Sequence, residues 1–132
     1  MAAALEYLTN IQRKRAVVFL VSDFRDQGFE KALSVASRRH DLIAVRLGDQ
    51  REEELPPLGY LELEDPESGE RVVVNTSSPA FRLAFREESD RRTAALARAL
   101  KRSKVDTIDV HTGEPYVKPL MRFFRERARR RR

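Results

Sequence analysis

The 132 residues, 41% hydrophobic and 36% charged with a net charge of +5, suit a single globular domain with a densely charged surface. The absence of Cys excludes a disulfide framework and any thiolate metal site. No apolar run approaches the roughly 20 residues of a membrane helix, and "MAAALEYLTNIQRKR" lacks the basic-then-apolar order of a signal peptide, so cytoplasmic placement is expected.

The first element is a helix over residues 2–12, where Ala4, Leu5, Leu8 and Ile11 recur at helical spacing. "RAVVFLVS" (15–22) is β-branched and aromatic without alternation, which predicts a strand buried on both faces of a parallel sheet. A helix over about 27–39 follows, with Asp26 as its N-cap and Phe29, Ala32, Leu33 and Ala36 on its inner face. "DLIAVRL" (41–47) is a second buried strand, completing a strand–helix–strand unit.

"GDQREEELPPLG" is a polar loop. "YLELE", the turn residues "DPESGE" and "RVVVN" together predict a β-hairpin over about 59–75. A long helix opens at "NTSSPAF", capped by Ser77 or Ser78 with Pro79 in its first turn, and runs to about Ser103 with Phe81, Phe85, Leu96 and Leu100 inward. "VDTIDV" (105–110) is a less apolar third strand, expected near the sheet edge. The last helix carries Pro115 and Pro119 early and places Val117, Leu120, Met121 and Phe124 on its inner face.

The charge is uneven. "RFFRERARRRR" holds seven Arg against one Glu, a net of +6, and the other 121 residues sum to −1. Residues 126–132 read as a basic tail whose cations sit near a helix C-terminus; a nucleic-acid role is the lesser alternative. The order of elements, α-β-α-β-hairpin-α-β-α, predicts a three-layer, doubly wound α/β fold, Rossmann-like, with a mainly parallel sheet and an inserted hairpin.

In such sheets ligands bind where the strands end. Asp23, on the most apolar strand, occupies that position, so its carboxylate is the candidate metal ligand or catalytic group, with Ser22 and Asp26 as weaker candidates. The plain alternative is that Ser22 and Asp23 bond the amides of the turn. His111, beside Thr112 and Glu114, ends the third strand on the same rim and reads first as a surface loop residue; His40 follows a basic helix end and reads as a cap. The acidic run Glu52–Glu54 reads as a solvated loop, and Phe81, Phe85, Phe123 and Phe124 as core, not base-stacking platforms. The chain contains no Gly-x-Ser-x-Gly elbow, no GxGxxG and no P-loop.

Four separated segments, Arg15–Phe24, Arg38–Leu47 with Glu52–Pro56, Leu61–Val72 and Tyr116–Arg125, resemble the bacterial domain-of-unknown-function family fifty-eight, whose members carry a von Willebrand factor type A-like domain. The resemblance implies that residues 1–132 are the C-terminal portion of such a domain, beginning in the helix before its fourth strand. It also implies a divalent cation site of Asp-x-Ser-x-Ser, a loop Thr and a later Asp, of which Asp23 matches the last. No Asp-x-Ser-x-Ser occurs here, and Thr9 falls inside the first helix. No cofactor is therefore expected in this chain, although Mg²⁺ is expected in an intact domain. A non-enzymatic protein-interaction module is implied, with a MoxR-type AAA+ ATPase as partner and a homodimer formed through the edge strand 15–22. The rival reading is a Mg²⁺-dependent phosphoryl-transfer enzyme using Asp23.

Overall fold

The structure, a computed structural model, describes residues 1–49, 54–64 and 68–130. Its elements in chain order are α1 (Ala2–Ile11), β1 (Val17–Ser22), α2 (Glu30–Arg39), β2 (Asp41–Gly48), β3 (Tyr60–Glu64), β4 (Arg71–Asn75), α3 (Pro79–Arg102), β5 (Asp106–His111) and α4 (Val117–Arg130). That is the predicted order. The chain divides into two compact units, Met1–Gly48 with Ala95–Arg132, and Asp49–Ala94.

The first unit is an α/β layer structure on a three-stranded parallel sheet of order β1-β2-β5. Period-two alternation sorts the side chains. Leu42 and Ala44, with Val18 and Leu20, face α1 and α2, where Leu5, Leu33, Ala36, Phe29 and Leu100 complete one apolar cluster. Ile43, Val45 and Ile108 face the opposite side and pack on Phe123 of α4. The central strand β2 is therefore covered on both faces, as an unbroken apolar run predicts.

β1 lies at the edge, as the resemblance implies, hydrogen-bonded to β2 alone among the described strands, but it departs from the expectation of two buried faces: only its even-numbered residues are sheltered. Val17, Phe19 and Val21 are 57%, 47% and 57% exposed on the α4 side. An apolar run marks a strand but does not say how many neighbours it has. β5 is the other edge, as its weaker hydrophobicity predicts.

Two further corrections concern helices. Asp26 does not cap α2: Gly28 takes φ +74°, which breaks the helical path, and the helix begins at Glu30 with Phe29 as N-cap. The inner face of α4 is also rotated from the predicted one. Phe123 is buried and Leu120 packs beside it, whereas Val117, Met121 and Phe124 are about half exposed. Arg127 fixes this orientation. Its guanidinium pairs with Asp41 and, at 2.7 Å, with Asp106, and lies 5.7 Å from the Phe123 ring centroid. The chain from Glu126 to Arg130 is thus the last part of α4, bound at Arg127 to the amino ends of β2 and β5.

His40 ends α2 as its C-cap, its amide bonded to Ala36 at 2.8 Å, as its place after the helix predicts. His40 is 2% exposed, and neither ring nitrogen has a hydrogen-bond partner among the described residues.

In the second unit β3 and β4 form the expected antiparallel hairpin, with Leu61 opposite Val74 and Leu63 opposite Val72. Residues 65–67 of its tip lie outside the described residues, as do residues 50–53 of the acidic loop. Thr76 is fully buried; its hydroxyl donates to the Gly59 carbonyl at 2.8 Å and accepts the Leu58 amide at 3.0 Å. Ser78 Oγ accepts the Phe81 amide at 3.3 Å, capping α3 ahead of Pro79. Phe81 and Phe85 are half-buried, with ring centroids 6.5 Å apart.

Candidate functional site

The parallel register brings three strand ends to one rim. Ser22 stands beside Arg46, and Gly48 beside His111, so Asp23, Asp49 and the His111–Thr112 corner all lie just at or beyond the last paired residues. This is where the sequence places Asp23, at the carboxyl end of the most apolar strand.

The turn after β1 is tight. Phe24 takes φ +57°, a left-handed conformation uncommon for a bulky side chain, and is held there by burial against Phe29 at a centroid separation of 6.1 Å. Ser22 Oγ accepts the Phe24 amide at 3.0 Å, and Asp23 Oδ1 accepts the Arg25 amide at 3.4 Å. Both side chains therefore satisfy the turn's own donors, the simpler of the two roles anticipated for them. The Asp23 carboxylate is also 54% exposed, with the Arg25 guanidinium at a loose 3.8 Å. Asp26 is paired with the Met1 ammonium.

A hard divalent cation needs several oxygen ligands in near-octahedral array. Among the described residues no three Asp, Glu or His side chains converge to supply them. Ser22 Oγ and Asp23 Oδ1 are engaged with the turn, Asp23 Oδ2 faces the Arg25 guanidinium at 3.8 Å, and Asp26 is paired with the Met1 ammonium. These residues do not by themselves fit a Mg²⁺ cage.

Two rim features escape a reading by motif. Arg46 Nε donates to Asp109 Oδ1 at 2.6 Å across β2 and β5, an ion pair between strands that only the register brings together. Asp49 directly follows β2, and "LGD" at a strand end, read as loop, was its available signal. His111 is half-buried at the end of β5, and the Thr112 amide returns to the Gly48 carbonyl at 2.9 Å.

Beside the rim lies a different kind of feature. Exposed Val17, Phe19 and Val21 continue onto Phe124 of α4, which is 45% exposed and whose ring lies 6.2 Å from that of Phe19. An apolar strip thus borders the strand edge whose outward amides and carbonyls have no ladder partner among the described strands.

An α/β unit with a three-stranded parallel sheet and helices on both faces is compatible with a Rossmann-like fold. The family model described as "Protein of unknown function DUF58" matches residues 1–95, and the chain belongs to that family. The segment Tyr116–Arg125 lies outside this match. The uncharacterized proteins Mb1516 of Mycobacterium bovis and Rv1480 of Mycobacterium tuberculosis are each 29% identical over 131 residues, which is 98% of this chain and 41% of theirs. The uncharacterized protein MAV169 of Mycobacterium avium is 25% identical over 130 residues, 98% of this chain and 76% of its own. The chain thus spans less than half the length of the first two relatives. No solved structure matches it. No described helix is long and apolar enough to cross a membrane.

Proposed function

We propose that this chain is a non-enzymatic protein-interaction module of von Willebrand type A-like architecture, and that its working surface is the open edge of β1 with the apolar strip beside it. The observation that carries this reading is the exposure of Val17, Phe19 and Val21 on a strand with one ladder partner among the described strands. Such an edge recruits another chain, because ladder hydrogen bonds and apolar burial are gained together. Another copy of the chain is one recruit, through residues 15–22. A MoxR-type AAA+ ATPase is the partner suggested by the family resemblance. In a longer protein carrying Asp-x-Ser-x-Ser, Asp23 is the residue placed to complete a Mg²⁺ cradle that bridges to an acidic side chain of the partner.

The enzymatic alternative draws less support, since the groups nearest Asp23 belong to its own turn. For nucleic acid, Arg127 is diverted into two carboxylate pairs. The test is Phe19→Lys with Val21→Lys, which puts two cations on the edge while leaving the sheltered face intact. Circular dichroism checks the fold; sedimentation and binding to a purified MoxR-type ATPase from the same organism are then compared with the parent chain. Loss of self-association or of ATPase binding supports the module; unchanged behaviour in both assays removes the edge from the account.

A further inference from the structure

We infer that the amino end of the parallel sheet is a docking face for an anionic lipid bilayer, a contact separate from the protein partner proposed above. In a parallel α/β unit the strands begin at one end, and the helices that run back between them finish there. Four segments build that end: residues 12–16 before β1, 38–41 across the α2–β2 junction, 101–106 from the last residues of α3 into β5, and 126–130 closing α4. The Arg127 contacts to Asp41 and Asp106, the first residues of β2 and β5, hold the end of α4 beside the others.

Together these segments carry eleven Lys and Arg against three acidic residues, a net charge of +8. The whole chain has +5, so everything else sums to −3. The basic character therefore belongs to one end of the sheet and not to the last helix alone. The carboxyl rim has no such excess, with Asp23, Asp49, Asp109 and Glu114 against Arg25 and Arg46. The patch lies at the ends of the strands and is independent of what pairs along their sides.

Ten of the eleven cations are exposed; the exception is Arg127. Among the described residues only Arg127 and Arg130 of this set meet a carboxylate, while Arg39 donates to the Thr9 carbonyl at 3.0 Å. The middle of α3 is the contrast, since Arg91 and Arg92 there both pair with Glu88. Cations at helix ends offset the negative pole of the helix, but each pole amounts to only about half a charge. Four helices finish here, so their poles answer about two of the eight charges. Arg13, Lys14 and Arg15 moreover lie beyond the end of α1, whose last turn has no basic residue. Crowding like charges in this way costs stability through self-repulsion, and a surface of opposite sign removes that cost.

The form of the face selects a bilayer over a nucleic acid. Its cations come from both helical layers and from the sheet between them, over roughly 20 Å in each direction. Val105 and His40, at the starts of β5 and β2, are 7% and 2% exposed, so the middle of the face is filled and not grooved. No Phe or Tyr occurs in the four segments to stack on a base. Ile11, 59% exposed at the end of α1, adds an apolar side chain at the border of the patch, suited to a headgroup layer. Anionic lipid attracts such clusters, each Lys or Arg near the surface strengthening binding about fivefold. A bilayer bound here leaves the carboxyl rim, with Asp23, facing away from it.

Sedimentation with sucrose-loaded vesicles tests this, using vesicles rich in phosphatidylglycerol and vesicles of phosphatidylcholine alone. Binding to the anionic vesicles only is expected, falling steeply as salt is raised. Lys14→Glu with Lys101→Glu is expected to weaken it more than about tenfold. Arg91→Glu with Arg92→Glu changes the net charge equally outside the patch and is expected to weaken it about twofold at most. Circular dichroism checks the fold of both. The absence of Cys also permits a single label. An environment-sensitive dye on Ile11→Cys is expected to shift to the blue on anionic vesicles, whereas on Tyr116→Cys, 61% exposed beyond β5, it is expected not to shift. The labelled chains keep every charge of the patch, so this readout stands if a reversed variant fails to fold.

No binding to anionic vesicles in low salt, equal weakening by the two pairs of reversals, or a shift at Tyr116 and none at Ile11 overturns the inference. Binding to a DNA duplex without binding to the vesicles overturns it in favour of nucleic acid. Each of these results leaves the partner reading of β1 untouched.

Discussion

Replacing Arg127 with Met tests how the two faces of the sheet are held. The Arg127 side chain is only 13% exposed and its partner Asp41 18%, so solvent screens the pair little. The guanidinium also binds Asp106 at 2.7 Å and covers the Phe123 ring. Met keeps the apolar stem over Phe123 and removes the charge, leaving two carboxylates on neighbouring strands. Arg130 approaches Asp106 at 3.4 Å but is 61% exposed and compensates weakly. Breaking a buried pair by deleting one partner costs about 3–5 kcal/mol; the partial exposure of Asp106 places this case at about 3 kcal/mol. For a chain of this size that is a fall in Tm of roughly 10 °C. Urea unfolding followed by far-UV circular dichroism measures it. Adding Asp41→Asn and Asp106→Asn to Arg127→Met is expected to recover more than half of the loss, because the two carboxylate charges that Arg127 offsets disappear with it. A loss below about 1 kcal/mol, or a triple variant no more stable than Arg127→Met, refutes the clamp.

His40→Leu is expected to raise stability by about 1–2 kcal/mol, since a buried ring with two unpartnered nitrogens gives way to an apolar side chain; a loss in the same urea assay would reveal a partner for the imidazole. Ser78→Ala removes the cap of α3 and is expected to cost about 1 kcal/mol, whereas Ser77→Ala leaves the Phe81 amide bonded. Isothermal titration with Mg²⁺ is expected to give no micromolar binding to this chain, and micromolar binding abolished by Asp23→Asn would show that the rim assembles a cage after all.

Much of this fold is legible in the residues. The order of elements follows from apolar runs, turn residues and helical spacing, and the cap at Ser78 with Pro79 behind it is local chemistry that tertiary contacts do not override. The failures share one cause: they depend on what lies across space. "AVVFLV" marks a strand, but its apolar character does not reveal that the face of Val17, Phe19 and Val21 is exposed. The inner face read for α4, Val117, Leu120, Met121 and Phe124, holds at Leu120 only, and of the two rings read as core Phe123 alone is buried, where Asp41 and Asp106, distant in sequence, hold Arg127 beside it. The start of α2 is displaced by one glycine in a left-handed conformation. At the rim, Asp23 is visible because a carboxylate directly after an apolar strand stands out. The Arg46–Asp109 pair is not, since it exists only in the register of β2 against β5.

The proposed function rests on the edge of β1, which has one ladder partner among the described strands, taking up another chain. Hydrogen exchange of the amides from Val17 to Ser22, measured at low and at high micromolar protein, examines that edge directly. We predict that alternate amides of β1, those directed away from β2, exchange freely in dilute protein and become protected as concentration rises, while β2 is unchanged. Uniform protection of all six amides at every concentration would mean that the edge is not open, and would contradict the account.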